Sequence, residues 1–228
     1  MTSAFILGST GLVGLQILKH SATVFAKVTT VSRRQPQASF PELDAIVEPD
    51  TSKWPSVISE SDSTVYFSAF GTNRAAAGSG EKFKEIDYGI NYECAKAAKQ
   101  KGMKTCVLIS STGASASSPF LYFQTKGQLE KDIIDLKFER TIILRPGMLL
   151  GERDKPKGLF NDFLVATLKY THGNFLSRFS YAIYGEELGM IAVSLANEEY
   201  DASNGPIVKI LGGFELTELA KKLHNNNP

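Results

Sequence analysis

The stretch Phe5-Ile6-Leu7-Gly8-Ser9-Thr10-Gly11-Leu12-Val13-Gly14 joins an apolar run to three glycines spaced three residues apart. A strand that enters such a turn and continues into a helix is typical of the first βα unit of a dinucleotide-binding fold. There Gly8 permits the sharp turn, Gly11 lets the backbone approach a pyrophosphate, and Gly14 lets the helix pack closely on its strand. The helix would direct its free N–H groups at the phosphates. The alternative is a turn without a ligand, because the spacing is GxxGxxG rather than GxGxxG.

Short β-rich runs alternate with helical patterns along the chain, which predicts an α/β fold, a Rossmann-type doubly wound parallel sheet with a small C-terminal elaboration. With 228 residues, 43% of them hydrophobic, we expect a single NAD(P)-binding domain spanning 1–228, in which residues after Gly151 supply the substrate side and C-terminal elements. Beyond the first strand, the predicted strands are 27–32, 44–47, 64–68, 104–110, 141–144 and 207–211. The predicted helices are 82–100, 122–136 and 216–223, and mobile loops are predicted at 75–80 and 115–118.

Composition disfavours several classes of protein. A formal net charge of +1 gives no general attraction to nucleic acid or to anionic lipid. The two cysteines, Cys94 and Cys106, encode no disulfide framework, and the scattered histidines argue against a metal site. The first strand begins too early for a cleavable leader, and no apolar run reaches the roughly 18 residues that span a bilayer. We therefore expect a soluble or peripherally attached protein of a reducing compartment.

The second strand carries the signal for the choice of dinucleotide. An acidic residue after this strand normally binds the ribose 2′-hydroxyl, yet residues 15–41 contain no Asp or Glu. The strand is followed instead by Arg33 and Arg34, and a guanidinium can bind a phosphate through two hydrogen bonds. This predicts NADP(H) rather than NAD(H), unless both arginines are solvated loop charges. Asp50 could bond the adenine amino group or cap a helix.

A phenol and an ammonium lie four residues apart at Tyr122 and Lys126, on one face of a predicted helix. Because the positive charge favours the ionised phenol, Tyr122 is a candidate acid/base. The same spacing recurs at Tyr92 and Lys96, so spacing alone is weak evidence. Tyr122 follows the strand predicted at 104–110, at whose carboxyl end ligands bind, whereas Tyr92 precedes it. We interpret Tyr92 and Lys96 as a packing or surface pair.

The glycine-rich turn, the run Ser110-Ser111-Thr112 and the Tyr-x-x-x-Lys pair together resemble the short-chain dehydrogenase/reductases, nearly over the whole chain. Further segments are similar to an atypical branch of that family, the branch of the human Tat-interacting oxidoreductase-like protein and of fungal relatives assigned to the mitochondrial outer membrane. The similarity to the branch lies in 70–74 (FGTNR), 136–138 (LKF) and 144–150 (LRPGMLL), and the chain is brought closer to the fungal relatives by 51–54 (TSKW) and 74–78 (RAAAG). The resemblance implies a peripheral protein on the cytosolic face of that membrane.

The resemblance also implies roles for individual residues. Thr10, Gly11, Leu12 and Val13 would line the pyrophosphate, Arg33 and Arg34 would hold the 2′-phosphate, Phe70 and Gly71 would flank the adenosine, and Leu149 would approach the nicotinamide. Lys126 would bond the nicotinamide ribose and tune Tyr122. Ser111 would polarise a substrate carbonyl, with Ser110 and Thr112 as alternatives because the serine-to-tyrosine interval is short for the family; a turn-forming role for Ser110 and Ser111 stays open. Lys157 would attract a phosphate.

These roles describe an NADPH-dependent oxidoreductase of the carbonyl reductase type, which transfers hydride to a small-molecule carbonyl substrate while Tyr122 donates a proton. An alternative is an NADP(H)-bound regulator or scaffold with little or no turnover. A sugar-nucleotide epimerase or dehydratase is disfavoured, because such enzymes usually need a larger C-terminal substrate domain. The aromatic segment 160–184 could form core, a substrate lid, a homodimer contact or a membrane-facing patch.

Overall fold

A computed structural model describes residues 2–72, 74–151 and 181–226 of this protein. The described strands are β1 (Ser3–Leu7), β2 (Lys27–Ser32), β3 (Leu43–Val47), β4 (Val65–Ser68), β5 (Thr105–Ile109), β6 (Arg140–Leu144), β7 (Leu149–Leu150), β8 (Ile183–Tyr184) and β9 (Ile207–Leu211). Seven of them form a parallel main sheet in the order β3-β2-β1-β4-β5-β6-β9. The strand order reverses between β1 and β4, and this switch point opens a crevice at the carboxyl ends of the strands.

Helices cover both faces of the sheet. The described helices are α1 (Leu12–Ser21), α2 (Trp54–Glu60), α3 (Arg74–Ala77), α4 (Gly80–Lys84), α5 (Asn91–Lys101), α6 (Leu121–Asp135), α7 (Gly185–Asn197) and α8 (Gly213–Asn226). A π-helical turn, Glu85–Ile90, joins α4 to α5, and a short 3₁₀ turn, Thr51–Lys53, precedes α2. No helix in the described ranges is long and apolar enough to cross a membrane.

Two apolar layers sandwich the sheet. On β1, Ile6 packs in the layer that includes Ile17 of α1 and Leu188 of α7, whereas Leu7 packs in the layer that includes Cys94 of α5 and Leu129 of α6. Because both faces of the central strands are buried, their sequences are nearly continuous apolar runs instead of alternating patterns. The predicted Rossmann-type α/β fold is confirmed.

Beyond the main sheet, β7 pairs in parallel with β8, and α7 packs on α1. The elements β7, β8 and α7 form the expected C-terminal elaboration. Helix α7 approaches α1 closely at Gly189, where a Cβ atom would lie 2.6 Å from the Gln16 Cβ. A larger residue would separate these helices, so glycine sets the distance between the elaboration and the first βα unit.

Most predicted elements match the structure within one or two residues, and Gly102 ends its helix with a φ of +97° as expected. The helix predicted at 82–100 contains the π turn, and α2 and α7 were not predicted. The loop predicted at 75–80 is wrong in part, because residues 74–77 form a helical turn and α4 begins at Gly80. Lys157 and most of the segment 160–184 lie outside the described residues.

Candidate functional site

A cavity of about 810 Å³ opens at the carboxyl ends of β1, β2, β4 and β5, where the strand order reverses. It brings together most of the predicted site residues: Thr10, Gly11, Leu12, Val13, Arg33, Arg34, Phe70, Gly71, Tyr122, Lys126 and Leu149 line it. Further lining residues are Leu15, Gln16, Gln35, Gln37, Ala69, Thr72, Ile109 and Ser110. Gly8, Gly14, Asp50 and Ser111 are not among the lining residues.

Gly8 and Gly14 shape the first turn from outside the cavity. Gly8 has a φ of +90°, and a Cβ atom there would lie 2.6 Å from the Phe70 nitrogen. A Cβ atom on Gly14 would lie 2.0 Å from the Gly8 carbonyl oxygen, so α1 packs directly on the turn. Gly11 precedes α1 in an extended conformation without a side-chain capping bond. The first amide groups of α1, near the cavity-lining Leu12 and Val13, suit an anion.

Arg33 and Arg34 follow β2 and line the same cavity, together with Gln35 and Gln37. The Ser32 hydroxyl donates a hydrogen bond to the Arg34 carbonyl oxygen at 2.7 Å and thereby fixes the start of this loop. Two guanidinium groups beside the glycine turn give this end of the cavity a positive character.

Tyr122 and Lys126 lie one turn apart on α6, and both line the cavity. The Tyr122 ring stacks on the buried Phe83 ring with centroids 5.7 Å apart. Lys126 is only 5% exposed, and its Nζ lies 2.7 Å from Asp87 Oδ1. Packing and an ion pair therefore hold the phenol and the ammonium at the cavity wall. Tyr92, in contrast, stacks on Tyr88 outside the cavity lining.

Two buried polar residues hold the loop 70–72 that follows β4. The Asn91 side-chain amide donates to the Phe70 carbonyl oxygen at 3.2 Å, and Asn91 Oδ1 accepts from the Ser68 hydroxyl at 2.6 Å. Asp87 Oδ2 accepts from the Thr72 amide at 2.7 Å. Asp87 and Asn91 were not predicted from the sequence; the available signal was two polar residues four positions apart in a helix that packs on the sheet.

The hydroxyl groups after β5 point to several different partners. Ser110, which lines the cavity, donates to buried Glu130, and Glu130 also accepts two bonds from the Arg145 Nε, at 3.0 and 3.1 Å, and one from Nη2 at 2.5 Å. This pairing raises the pKa of Arg145 above its usual value. The Ser111 hydroxyl bonds the Thr112 carbonyl oxygen at 3.3 Å, and the Thr112 hydroxyl bonds the Arg145 carbonyl oxygen at 2.9 Å. Of the three candidates, Ser110 faces the cavity.

We expect Ser110→Ala to lower the free energy of unfolding by about 1–3 kcal/mol, because it removes a buried bond to a charged carboxylate. Ser111→Ala, whose hydroxyl makes a long and exposed contact, should change it by less than about 0.5 kcal/mol. Urea unfolding of both variants measures the difference. Equal losses would mean that the Ser110–Glu130 bond contributes nothing particular to stability.

Asp50 has a structural contact instead of a place in the cavity lining. Its carboxylate accepts from the Ser52 amide at 3.0 Å and from the Ser52 hydroxyl at 2.7 Å, and so caps the turn before α2. These bonds lower the pKa of Asp50. Of the two roles considered for Asp50, the structure favours the helix cap over the adenine contact.

The described residues contain no cluster of His, Cys, Asp and Glu that could hold a metal ion. Cys94 and Cys106 are both buried and free. Burial raises the pKa of the Cys94 thiol to about 12 and that of Cys106 even further, which disfavours the reactive thiolate at both positions.

Solved structures show the same fold. The UDP-glucose 4-epimerase from Brucella ovis in complex with NAD superposes with a TM-score of 0.70 at 14% identity, over 99% of this chain and 82% of that chain. MoeE5 in complex with UDP-glucose and NAD has a TM-score of 0.67 at 14% identity, over 98% and 82%. A short-chain dehydrogenase family protein from Francisella tularensis has a TM-score of 0.63 at 13% identity, over 94% and 98%.

Sequence comparison finds much closer relatives. The protein FMP52-1, mitochondrial, of Scheffersomyces stipitis is 56% identical over 97% of this chain and 100% of the relative. The protein FMP52, mitochondrial, of Candida albicans is 48% identical over 97% and 100%. The family model described as HIM1 matches residues 61–181. The chain therefore belongs to the HIM1 family and is a homologue of the fungal FMP52 proteins.

Proposed function

We propose that this protein is an NADP(H)-dependent oxidoreductase of the carbonyl reductase type. The proposal rests on one observation: the same cavity is lined by the glycine turn and the adjacent residues Arg33 and Arg34, and also by Tyr122 and Lys126. A site that combines a phosphate-binding turn with a buried lysine and a tyrosine suits a dinucleotide and its reaction partner.

The residues of the cavity fit this cofactor. The uncapped N-terminus of α1 and the glycine turn would hold the pyrophosphate, and Arg33 and Arg34 would hold the 2′-phosphate. Lys126 has three N–H donors and forms an ion pair with Asp87 on one side, so donors remain that can bond ribose hydroxyls. Leu149 and Ile109 would contact the nicotinamide end.

When bound, the reduced cofactor supplies a hydride to a carbonyl carbon. Tyr122 donates its phenolic proton to the carbonyl oxygen as charge develops there, and Lys126 stabilises the phenolate that remains. A hydroxyl of the loop after β5 orients the carbonyl: Ser110 lines the cavity, and Ser111 is the next residue along the chain. The substrate class is a small aldehyde, ketone or quinone.

We expect the double variant Arg33→Gln/Arg34→Gln to weaken NADPH binding by about 10- to 100-fold, because it removes charged hydrogen bonds to the 2′-phosphate. NADH lacks this phosphate and so makes none of the bonds that the substitutions remove. Its affinity should change by less than about 3-fold. Fluorescence titration with both cofactors measures the ratio. Parallel losses for NADPH and NADH would assign the arginines to another part of the cofactor.

Turnover is tested by NADPH oxidation with the purified protein across a panel of aldehydes, ketones and quinones. Cofactor occupancy is measured in parallel by NADPH fluorescence. Oxidation that depends on a carbonyl compound supports the reductase. A saturated site without oxidation of NADPH by any member of the panel argues against it.

A second function is an NADP(H)-bound regulator or scaffold with little turnover. The observation that favours it is the use of the hydroxyls after β5: Ser110, Ser111 and Thr112 all donate to protein oxygens. A reductase needs a hydroxyl that donates to its substrate, so a fixed Ser110–Glu130 bond would weaken catalysis while leaving cofactor binding intact.

We further propose that this protein is mitochondrial, located peripherally at the cytosolic face of the outer membrane, and that it belongs with the Tat-interacting oxidoreductase-like branch. The FMP52 relatives are named as mitochondrial proteins, which supports the organelle. Fractionation with protease treatment of intact mitochondria tests the location. Protection from external protease, or release with the cytosolic fraction, would contradict it.

A further inference from the structure

Asp87 is a fully buried carboxylate in the π-helical turn between α4 and α5, and each of its oxygens has a separate neighbour. One oxygen accepts from the Thr72 amide at 2.7 Å, and the other lies 2.7 Å from the Lys126 Nζ. A π turn inserts an extra residue into a helix and occurs often at functional sites. Asp87 therefore connects two parts of the cavity wall that are distant in sequence.

Gly71 lies between these groups and leaves room for them. A Cβ atom on Gly71 would lie 3.0 Å from Asp87 Oδ1 and 3.3 Å from Lys126 Nζ. The loop 70–72 can approach the ion pair this closely because the residue at its centre has no side chain. Asn91, four residues after Asp87, fixes the preceding carbonyl oxygen of Phe70.

The charge of Asp87 matters as well as its shape. An amide at this position could accept from the Thr72 N–H, but it could not balance an ammonium that is only 5% exposed. The Asp87 carboxylate places an opposite charge 2.7 Å from the Lys126 Nζ inside the cavity wall, and this fixed partner directs the remaining donors of Lys126. A preorganised donor loses less conformational entropy when a ligand binds.

We propose that Asp87 is a positioning residue of the cofactor site: its carboxylate holds Lys126 and the loop 70–72 in one arrangement that is ready for the ribose of the dinucleotide. This inference rests on the proposed function, since it takes Lys126 to be a cofactor ligand. Asp87 acts through Lys126 and the loop, without contacting the reacting atoms.

A double-mutant cycle on the dissociation constant of NADPH tests this role, with the wild type, Asp87→Asn, Lys126→Met and the double variant. We expect Asp87→Asn to weaken NADPH binding at least 10-fold when Lys126 is present and less than 2-fold when residue 126 is Met. Glu93→Gln is the matched control, because it removes a carboxylate from an exposed pair with Lys96 at 3.9 Å, and it should leave NADPH binding unchanged.

The outcomes separate the two proposals. A wild type that does not bind NADPH overturns both the proposed function and the role of Asp87. A wild type that binds NADPH, with the same loss from Asp87→Asn in both backgrounds, leaves the function standing and overturns the positioning role.

A second measurement does not depend on the folding of Asp87→Asn. Lys126→Met leaves the Asp87 carboxylate in place as the acceptor for the Thr72 amide but removes the cation that holds this carboxylate. We expect hydrogen exchange at the Thr72 amide to accelerate at least 10-fold over the wild type, because the loop is held through the pair. Unchanged exchange at Thr72, with Lys126→Met folded, would contradict the coupling.

Discussion

Replacement of Tyr122 by Phe should lower the rate of NADPH-dependent carbonyl reduction by about 10²- to 10⁴-fold, the range that a positioned proton donor typically contributes. The variant keeps the ring that stacks on Phe83 at 5.7 Å, so the cavity wall should retain its shape. NADPH should therefore bind with nearly the wild-type affinity. Steady-state rates and a fluorescence titration on the same preparation measure both effects.

Tyr92→Phe is the matched control for Tyr122→Phe. Tyr92 has the same spacing to a lysine, Lys96, but it lies on α5, stacks on Tyr88 and is not among the cavity-lining residues. Reduction by this variant should proceed at the wild-type rate. If Tyr122→Phe reduces substrate as fast as the wild type, the proton comes from another group and the proposed mechanism is wrong.

Replacement of Gly14 by Ala should have the largest effect on folding. The added Cβ would lie 2.0 Å from the Gly8 carbonyl oxygen and 2.7 Å from the Gly8 carbonyl carbon, and both are backbone atoms of the turn. Helix α1 would have to move away from β1, which should cost at least about 3 kcal/mol, a large part of the roughly 5–15 kcal/mol that stabilises a domain. Urea unfolding measures this loss.

Gly89→Ala separates this clash from the general effect of replacing a helical glycine. A Cβ on Gly89 meets no atom within 4 Å, so the substitution should be neutral or should stabilise the protein by up to about 1 kcal/mol. Comparable unfolding midpoints for Gly14→Ala and Gly89→Ala would show that α1 tolerates a side chain at the turn, contrary to the packing described above.

The fold could be predicted because its main signals are local. The glycine turn requires a positive φ at Gly8 and a close approach at Gly14, and both requirements are encoded by the absence of a side chain. The strands, buried on both faces, are continuous apolar runs bounded by turn residues. Helix α7 (Gly185–Asn197) was not predicted because it begins with one glycine and contains another, Gly189. Only the folded chain, in which α1 packs closely against both, shows why glycine is needed at these positions.

The site was predicted in part for the same reason. Tyr122 and Lys126 have a recognisable spacing, and the positions of Arg33 and Arg34 follow from the end of a strand. Asp87 could not be assigned, because its partners Thr72 and Lys126 lie far from it in sequence and meet it only in the folded chain. The cavity-facing serine could not be distinguished from its neighbour, since Ser110 and Ser111 are adjacent residues of the same type. Only the folded chain shows that Ser110 lines the cavity and bonds Glu130.

The most direct test of the central claim is a calorimetric titration of the purified wild-type protein with NADPH and, separately, with NADH. We predict one NADPH site for each chain and binding at least about 10-fold tighter than that of NADH, as expected for one or more charged bonds to the 2′-phosphate. If neither NADPH nor NADH binds at millimolar concentration, the result contradicts a dinucleotide site in this cavity.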